Sequence, residues 1–200
     1  MPAVLCALAA YVVGLFPTAQ LVGRAVGVDP TRAGSGNPGA SNVTRVAGWK
    51  AGLVVFLGDL CKGMAPTALG WAVAGRGAGL ACWVAAVLGH VFPVTRRFRG
   101  GKGVATAGGG ALVLFPVVAV VLVAAFAVVV KAARMASLGS LVIAVGLPVG
   151  VALAGRPGRE VAVAAVVSAV VVVRHAGNIG RLLRREERTV LPGGSSPRPR

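Results

Sequence analysis

An all-α polytopic membrane protein of about seven transmembrane helices is the fold class this sequence predicts, and three observations predict it. Hydrophobic residues make up 56% of the 200 positions and charged residues only 13%, about half the charged share of a soluble domain. The mean hydropathy is +0.82, and a soluble fold of this length could not cover so much apolar surface. The apolar residues also fall into runs near the roughly 20 residues that cross about 30 Å of hydrocarbon. Finally, the basic residues behind the net charge of +16 gather in short segments between those runs, as loops beside membrane spans do. In a soluble chain this charge would point to nucleic acid. Here its placement points to anionic headgroups or an anionic substrate instead.

Taken in order, the first apolar run extends from about Ala3 to Gly23. It lacks a basic leading region and is long for a signal-peptide core, so it reads as a retained span. A polar stretch over 24–50, rich in Gly, Ser and Asn, follows. Spans are expected at about 51–74 and 80–94, then a basic, glycine-rich loop over 95–103. The run 104–130 is too long for one comfortable span. Pro116 lacks the N–H that continues a helix ladder, so two short or broken helices, or a re-entrant hairpin, are expected around it. Further spans follow at about 136–154 and 161–173. Residues 1–188 read as one membrane domain, and 189–200 as a disordered basic tail. Cys6, Cys61 and Cys82 all lie in apolar runs and read as small buried hydrophobes.

Span number is a question of parity. The polar segments 31–50, 95–106 and 174–188 can form one site only if they share a side of the membrane. Breaking 104–130 at Pro116 achieves that, with seven spans. Charge agrees: four basic residues in 24–50, four in 96–102, two in 131–134 and seven in 174–200 fall on the proposed inner side, against Arg76, Arg156 and Arg159 outside. The positive-inside rule then places the N-terminus outside the cell membrane and the tail and site in the cytoplasm.

The first polar segment reads Gly34-Ser35-Gly36-Asn37-Pro38-Gly39-Ala40-Ser41-Asn42-Val43-Thr44-Arg45. It contains G-x-G-x-x-G, but no βαβ unit surrounds it, which excludes a dinucleotide fold. What remains is a turn with free backbone N–H groups, small polar side chains and an arginine fork, a combination suited to holding an anion. The second segment runs from His90 through Arg96-Arg97-Phe98-Arg99-Gly100-Gly101-Lys102-Gly103 to Thr106. It lacks the spacing of a Walker A loop, yet combines glycine N–H groups, a lysine and a helix start aimed at one point. Gly101, Lys102 and Gly103 read as phosphate ligands, and the three arginines as membrane-side anchors. In the third segment, His175 and Asn178 stand three residues apart and share a face if the helix continues. Histidine can carry a proton near neutral pH, and headgroup contact is the other reading. Asp59 and Lys62, spaced i, i+3 within the second span, form either a structural ion pair or part of a site. Ser137 and Ser140 begin a helix, with capping favoured over substrate contact.

Together, GSGNPGASN with Arg45, HVFPV with GGKGVAT, and HAGNIGRLL with its following glutamates resemble the three segments of the bacterial acyl-phosphate:glycerol-3-phosphate acyltransferases. Asp59-Leu60-Cys61-Lys62-Gly63 resembles a further motif of the family. The likeness spans residues 1 to about 188. It implies a seven-span enzyme that moves a fatty acyl group from acyl-phosphate to position 1 of sn-glycerol 3-phosphate, the first step of phospholipid synthesis, without metal or coenzyme. It implies Ser35, Arg45, His175 and Asn178 as catalytic or orienting residues. Gly34, Ser35, Gly36, Asn37, Ser41, Asn42, Arg45, Gly101, Lys102, Gly103 and Thr106 are implied around substrate and phosphate. His90 and Ser137 are further positions, and Glu187 is a structural acid. Ser41 stands where threonine is usual, and Arg185 where glycine is usual. The nucleophile is then the substrate's own hydroxyl, and the general base is either His175 or a substrate phosphate oxygen. The competing reading of these loops is a small transporter or channel for a phosphorylated anion.

Overall fold

A computed structural model describes residues 1–189, and the expected tail beyond 189 lies outside the described residues. Nine α-helices and one 3₁₀ turn make up the regular structure, with no strand among the described residues. They are α1 (Pro2–Gly14), α2 (Thr18–Ala25), α3 (Ala40–Ala47), α4 (Trp49–Val91), the turn Val94–Arg96, α5 (Val104–Leu114), α6 (Pro116–Ala133), α7 (Ala136–Leu153), α8 (Gly158–Arg174) and α9 (Ala176–Leu183). Four stretches are long and apolar enough to cross a membrane: Pro2–Ala25, Trp49–Arg96, α6 and α7. The pair α8 and α9, bent by 60°, makes a fifth.

The remaining crossings are hidden in α4 and α5. At 43 residues, α4 would be about 65 Å long if straight, twice the hydrocarbon thickness. It leaves helical geometry at Ala74 and at Gly75, whose φ of 80° favours glycine. There the chain reverses, so that Gly70 faces Cys82 and Gly79 faces Thr67 and Trp71. The two limbs, 49–73 and 76–91, match the second and third expected spans. At Pro116 the expected break is present, with Phe115 (φ −140°, ψ 60°) ending α5 and preceding α6. With 11 residues, α5 is only about 17 Å long and lies in the centre of the bundle. Gly63 packs on the Thr106 carbonyl and Gly109 on the Leu60 carbonyl, while the Trp83 ring covers Gly110. The Trp83 indole N–H donates to the Ala107 carbonyl at 2.9 Å. Small residues permit this approach of backbones, as in membrane helix pairs. By contrast, α6 buries only Ala119 among its side chains.

The start of α5 (Val104) and the end of α6 (Phe126, Val130) border the same cavity, so the chain returns at Pro116 to the side it came from. The opposite end of the bundle holds the α4 hinge, the end of α5 and the start of α8. There the buried Glu160 accepts from Arg76 Nε at 2.7 Å and from Arg156 Nε at 2.9 Å, while Arg76 also donates to the Leu114 carbonyl at 2.9 Å. Two arginines read as loop charges thus converge on one carboxylate, and Arg76 also satisfies a carbonyl freed by the Pro116 break.

The reading of the cysteines needs correction: only Cys82 is buried, while Cys6 is half-buried and Cys61 exposed. The first run crosses over Pro2–Ala25, as expected of the span from Ala3 to Gly23, and within it the chain breaks between α1 and α2 ahead of Thr18, with Pro17 as the N-cap of α2. α1 crosses against the second limb of α4, Gly14 lying on Ala86 and Gly89, and the Tyr11 hydroxyl donates to the Phe92 carbonyl at 2.8 Å. α2 and α3 are amphipathic and cover the start of α4 through Ala19, Val43, Ala51 and Val55.

Candidate active site

The first polar segment folds around Asn42. Its side-chain oxygen accepts the Ser35 N–H at 2.8 Å, and its amide nitrogen donates to the carbonyls of Pro30 and Ala33 at 2.9 and 3.0 Å. Gly34 (φ 62°) and Gly36 (φ 72°) make the turns, and a Cβ on Gly34 would collide with the Asn42 side chain. Asn42 therefore shapes the loop, while Ser35, Asn37, Ser41 and Arg45 are left to line a cavity of about 620 Å³. One Arg45 Nη2 donates to the Thr189 carbonyl at 3.1 Å.

The second segment enters from the end of α4. Gly100 and Gly101 donate their N–H groups to the carbonyls of Val91 and His90 at 3.1 and 3.2 Å. A Cβ on Gly101 would overlap the His90 imidazole, and Gly103 takes φ 81° as the N-cap of α5. This geometry delivers Lys102 and Gly103 to the cavity. Lys102 is held down to about 8, chiefly by burial, with the Glu187 carboxylate opposing the shift. Thr106 lies deeper: it is fully buried and its hydroxyl has no partner among the described residues. Neither Thr106 nor Gly34, Gly36 and Gly101 borders this cavity.

The third segment completes the site after α8. Asn178 accepts from Lys102 Nζ through its side-chain oxygen and donates to Glu187 Oε1 at 2.9 Å, whose other oxygen pairs with Arg181 at 3.0 Å. His175 is 2% exposed. Its Nδ1 lies 2.8 Å from the Val171 carbonyl, which can only accept, so Nδ1 carries the hydrogen and Nε2 is the free nitrogen. Arg185, where glycine is usual in the resemblance, adopts φ 59°, the left-handed turn that glycine takes easily. The turn is therefore kept, and Glu187 reaches Asn178.

Supporting groups lie beneath. Lys62 Nζ pairs with Asp59 at 2.8 Å and donates to His90 Nδ1 at 3.2 Å and to the Phe16 carbonyl at 2.9 Å. This cluster ties both limbs of α4 to the break after α1, and its imidazole props Gly101. Both readings of the pair meet here, since Asp59 and His90 also border the cavity. Ser137 lines the cavity, its hydroxyl without a partner among the described residues, and Ser140 Oγ donates to the Ala136 carbonyl at 2.8 Å. Neither caps α7, whose N-cap is Met135, which corrects the capping expectation. Sequence reasoning missed Arg174. Its guanidinium donates to the carbonyls of Gly100 and Gly101 at 3.0 and 3.3 Å, and so clamps the glycine loop to the helix that carries His175. It also missed the apolar flank of the cavity, Trp49, Leu53, Phe56, Phe126 and Val130. A site with cationic groups at one end and an apolar wall beside them suits an anionic head on an apolar chain.

A sequence profile described as "Glycerol-3-phosphate acyltransferase" matches residues 4–185. A glycerol-3-phosphate acyltransferase of Rubrobacter xylanophilus is 46% identical over 186 residues, covering 92% of this chain and 94% of that one. One of Pseudomonas fluorescens is 42% identical, with 92% and 97% covered. The crystal structure of PlsY (YgiH), an integral membrane glycerol 3-phosphate acyltransferase, in its glycerol 3-phosphate form superposes with a TM-score of 0.91 at 34% identity, over 94% of this chain and 96% of that one. Its lysophosphatidic acid form gives 0.89. By profile, sequence and fold, the chain belongs to the glycerol-3-phosphate acyltransferase family.

Proposed function

We propose that this chain transfers a fatty acyl group from acyl-phosphate to the 1-hydroxyl of sn-glycerol 3-phosphate, releasing lysophosphatidic acid and orthophosphate. The observation that carries the reading is the Lys102–Asn178 contact, which joins the second and third motifs across the cavity that also receives Arg45 and Ser35. Relatives that carry this name and a neighbour solved with glycerol 3-phosphate and with lysophosphatidic acid support it.

In the reaction, the 1-hydroxyl oxygen attacks the acyl carbon, forming the ester C–O bond. The carbon–oxygen bond to phosphate breaks, the electron pair leaves with the phosphate, and the hydroxyl proton passes to a base. Lys102 and Arg45 hold the phosphates and offset the charge that builds on the acyl oxygen and leaving group. Ser35 and Asn37 orient the acyl-phosphate, and Asn178, fixed by Glu187, orients Lys102. The apolar flank receives the acyl chain. The proton acceptor is His175 Nε2 or a phosphate oxygen of the substrate. Residues 1–188 form the acyltransferase unit, and the site end, where fifteen of the nineteen basic residues of 1–189 gather, faces the cytoplasm.

The test is transfer of labelled palmitate from palmitoyl-phosphate to glycerol 3-phosphate by the purified chain, with His175→Gln alongside. Labelled lysophosphatidic acid is the expected product. Near-normal turnover in His175→Gln assigns the proton to the substrate phosphate, and the absence of product from folded wild type overturns the reading.

A further inference from the structure

We infer that a second, basic chamber beside the catalytic cavity is a binding site for phosphate-class dianions in water. Glycerol phosphate would enter and orthophosphate leave through it, apart from the apolar side used by the acyl chain. The inference rests on the acyltransferase reading above. The chamber measures about 1310 Å³, against about 620 Å³ for the catalytic cavity, and Ser35 and Asn37 border both. These two residues therefore mark where the chamber and the cavity adjoin.

Four arginines border the chamber, Arg24, Arg96, Arg99 and Arg174, against one acidic residue, Asp29. Asp29 is already engaged, by the Thr31 N–H at 2.9 Å, the Thr31 hydroxyl at 2.7 Å and Arg32 at 3.5 Å. None of the four arginines forms an ion pair among the described residues. Arg174 donates to two neutral carbonyls. Arg96 donates to the Gln20 side chain at 3.1 Å and the Leu15 carbonyl at 2.9 Å, while its buried Nε has no partner among the described residues. No ion pair holds Arg24 or Arg99 among the described residues, and both are exposed. Guanidinium forks match phosphate oxygens two at a time. A concave wall of one sign also concentrates anions of the other and speeds their arrival. A doubly charged product leaves poorly past Trp49 and Phe126, and this chamber gives it a charged way out.

The test uses the full chain in nanodiscs of zwitterionic lipid. Steady-state rates are read against glycerol 3-phosphate at low and high ionic strength, together with product inhibition by orthophosphate. The double variant Arg24→Gln/Arg99→Gln is compared with Arg159→Gln, at the opposite end of the bundle. The double variant is expected to lose about fivefold in kcat/KM at low salt, to show a flatter salt dependence and to raise the inhibition constant for orthophosphate by a similar factor. Arg159→Gln should match wild type. An unchanged kcat/KM and inhibition constant in the double variant overturns the inference. A loss that appears only in discs containing phosphatidylglycerol makes this a lipid headgroup site and also overturns it. If wild type transfers no acyl group, the acyltransferase reading fails separately. Binding of labelled orthophosphate in a Lys102→Ala background then decides: loss in the triple variant upholds the chamber, and equal binding removes it.

Discussion

The Lys102 ammonium meets the side-chain carbonyl of Asn178, joining the loop before α5 to the helix after α8. Asn178 is in turn held by Glu187 at 2.9 Å and Glu187 by Arg181 at 3.0 Å, so a relay of three contacts sets the position of one cation. Lys102→Ala removes the cation and should lower kcat/KM for glycerol 3-phosphate at least about a hundredfold, or about 2.7 kcal/mol. Glu187→Gln keeps the shape and loses only the charge, and a drop of about tenfold is expected. Steady-state kinetics on both variants check the ranking.

Burial brings Lys102 down to about 8, so the charged form dominates below that pH and is lost as pH rises through it. The kcat/KM for glycerol 3-phosphate should be level near pH 7 and fall above pH 8, since this ratio reports groups of the free enzyme. Lys102→Arg, which stays charged, should lose that alkaline limb. A pH profile of both proteins checks it.

Gly101 leaves no room for a Cβ because the His90 imidazole lies against it. Gly101→Ala should raise KM for glycerol 3-phosphate by about tenfold with a smaller change in kcat, as the loop shifts away from the cavity. Adding His90→Ala opens space beneath the loop and should recover part of the loss. The double-mutant cycle in KM measures this coupling.

Arg185 holds a left-handed turn at φ 59°, a conformation that costs a non-glycine residue about 1–2 kcal/mol. Arg185→Gly should retain activity and stabilise the protein by about 0.5–1 kcal/mol, after the extra freedom of glycine in the unfolded chain is deducted. Arg185→Val should lower both stability and activity. Thermal unfolding in detergent, read beside turnover, separates the two substitutions.

Hydropathy and proline placement made the bundle legible. The limbs of α4 and the break at Pro116 follow from run length, and the parity of charged segments anticipated that the motifs meet at one end. Motif residues such as Lys102, Asn178 and Arg45 were legible because their chemistry is unusual beside a membrane. What stayed hidden was side-chain direction. Asn42 turns inward to staple its own loop, and Thr106 is buried away from the cavity where its carbonyl packs on Gly63, because backbone packing decides which side of a turn is free. Arg174 looked like one more basic residue at a span end. Only the fold brings it to the carbonyls of Gly100 and Gly101. Arg76 and Arg156 read as loop charges because only tertiary structure gathers them on Glu160. Pro17 carried a signal that could have revealed the break after α1.

The most direct test of the central claim, a single phosphate-holding site built from all three motifs, is orthophosphate release from palmitoyl-phosphate by purified protein. It is read with and without glycerol 3-phosphate, in wild type, Lys102→Ala and Arg45→Ala. The account predicts release that requires glycerol 3-phosphate, matches lysophosphatidic acid formed one for one, and collapses in both variants. Full release in either variant, or release indifferent to glycerol 3-phosphate, would contradict it.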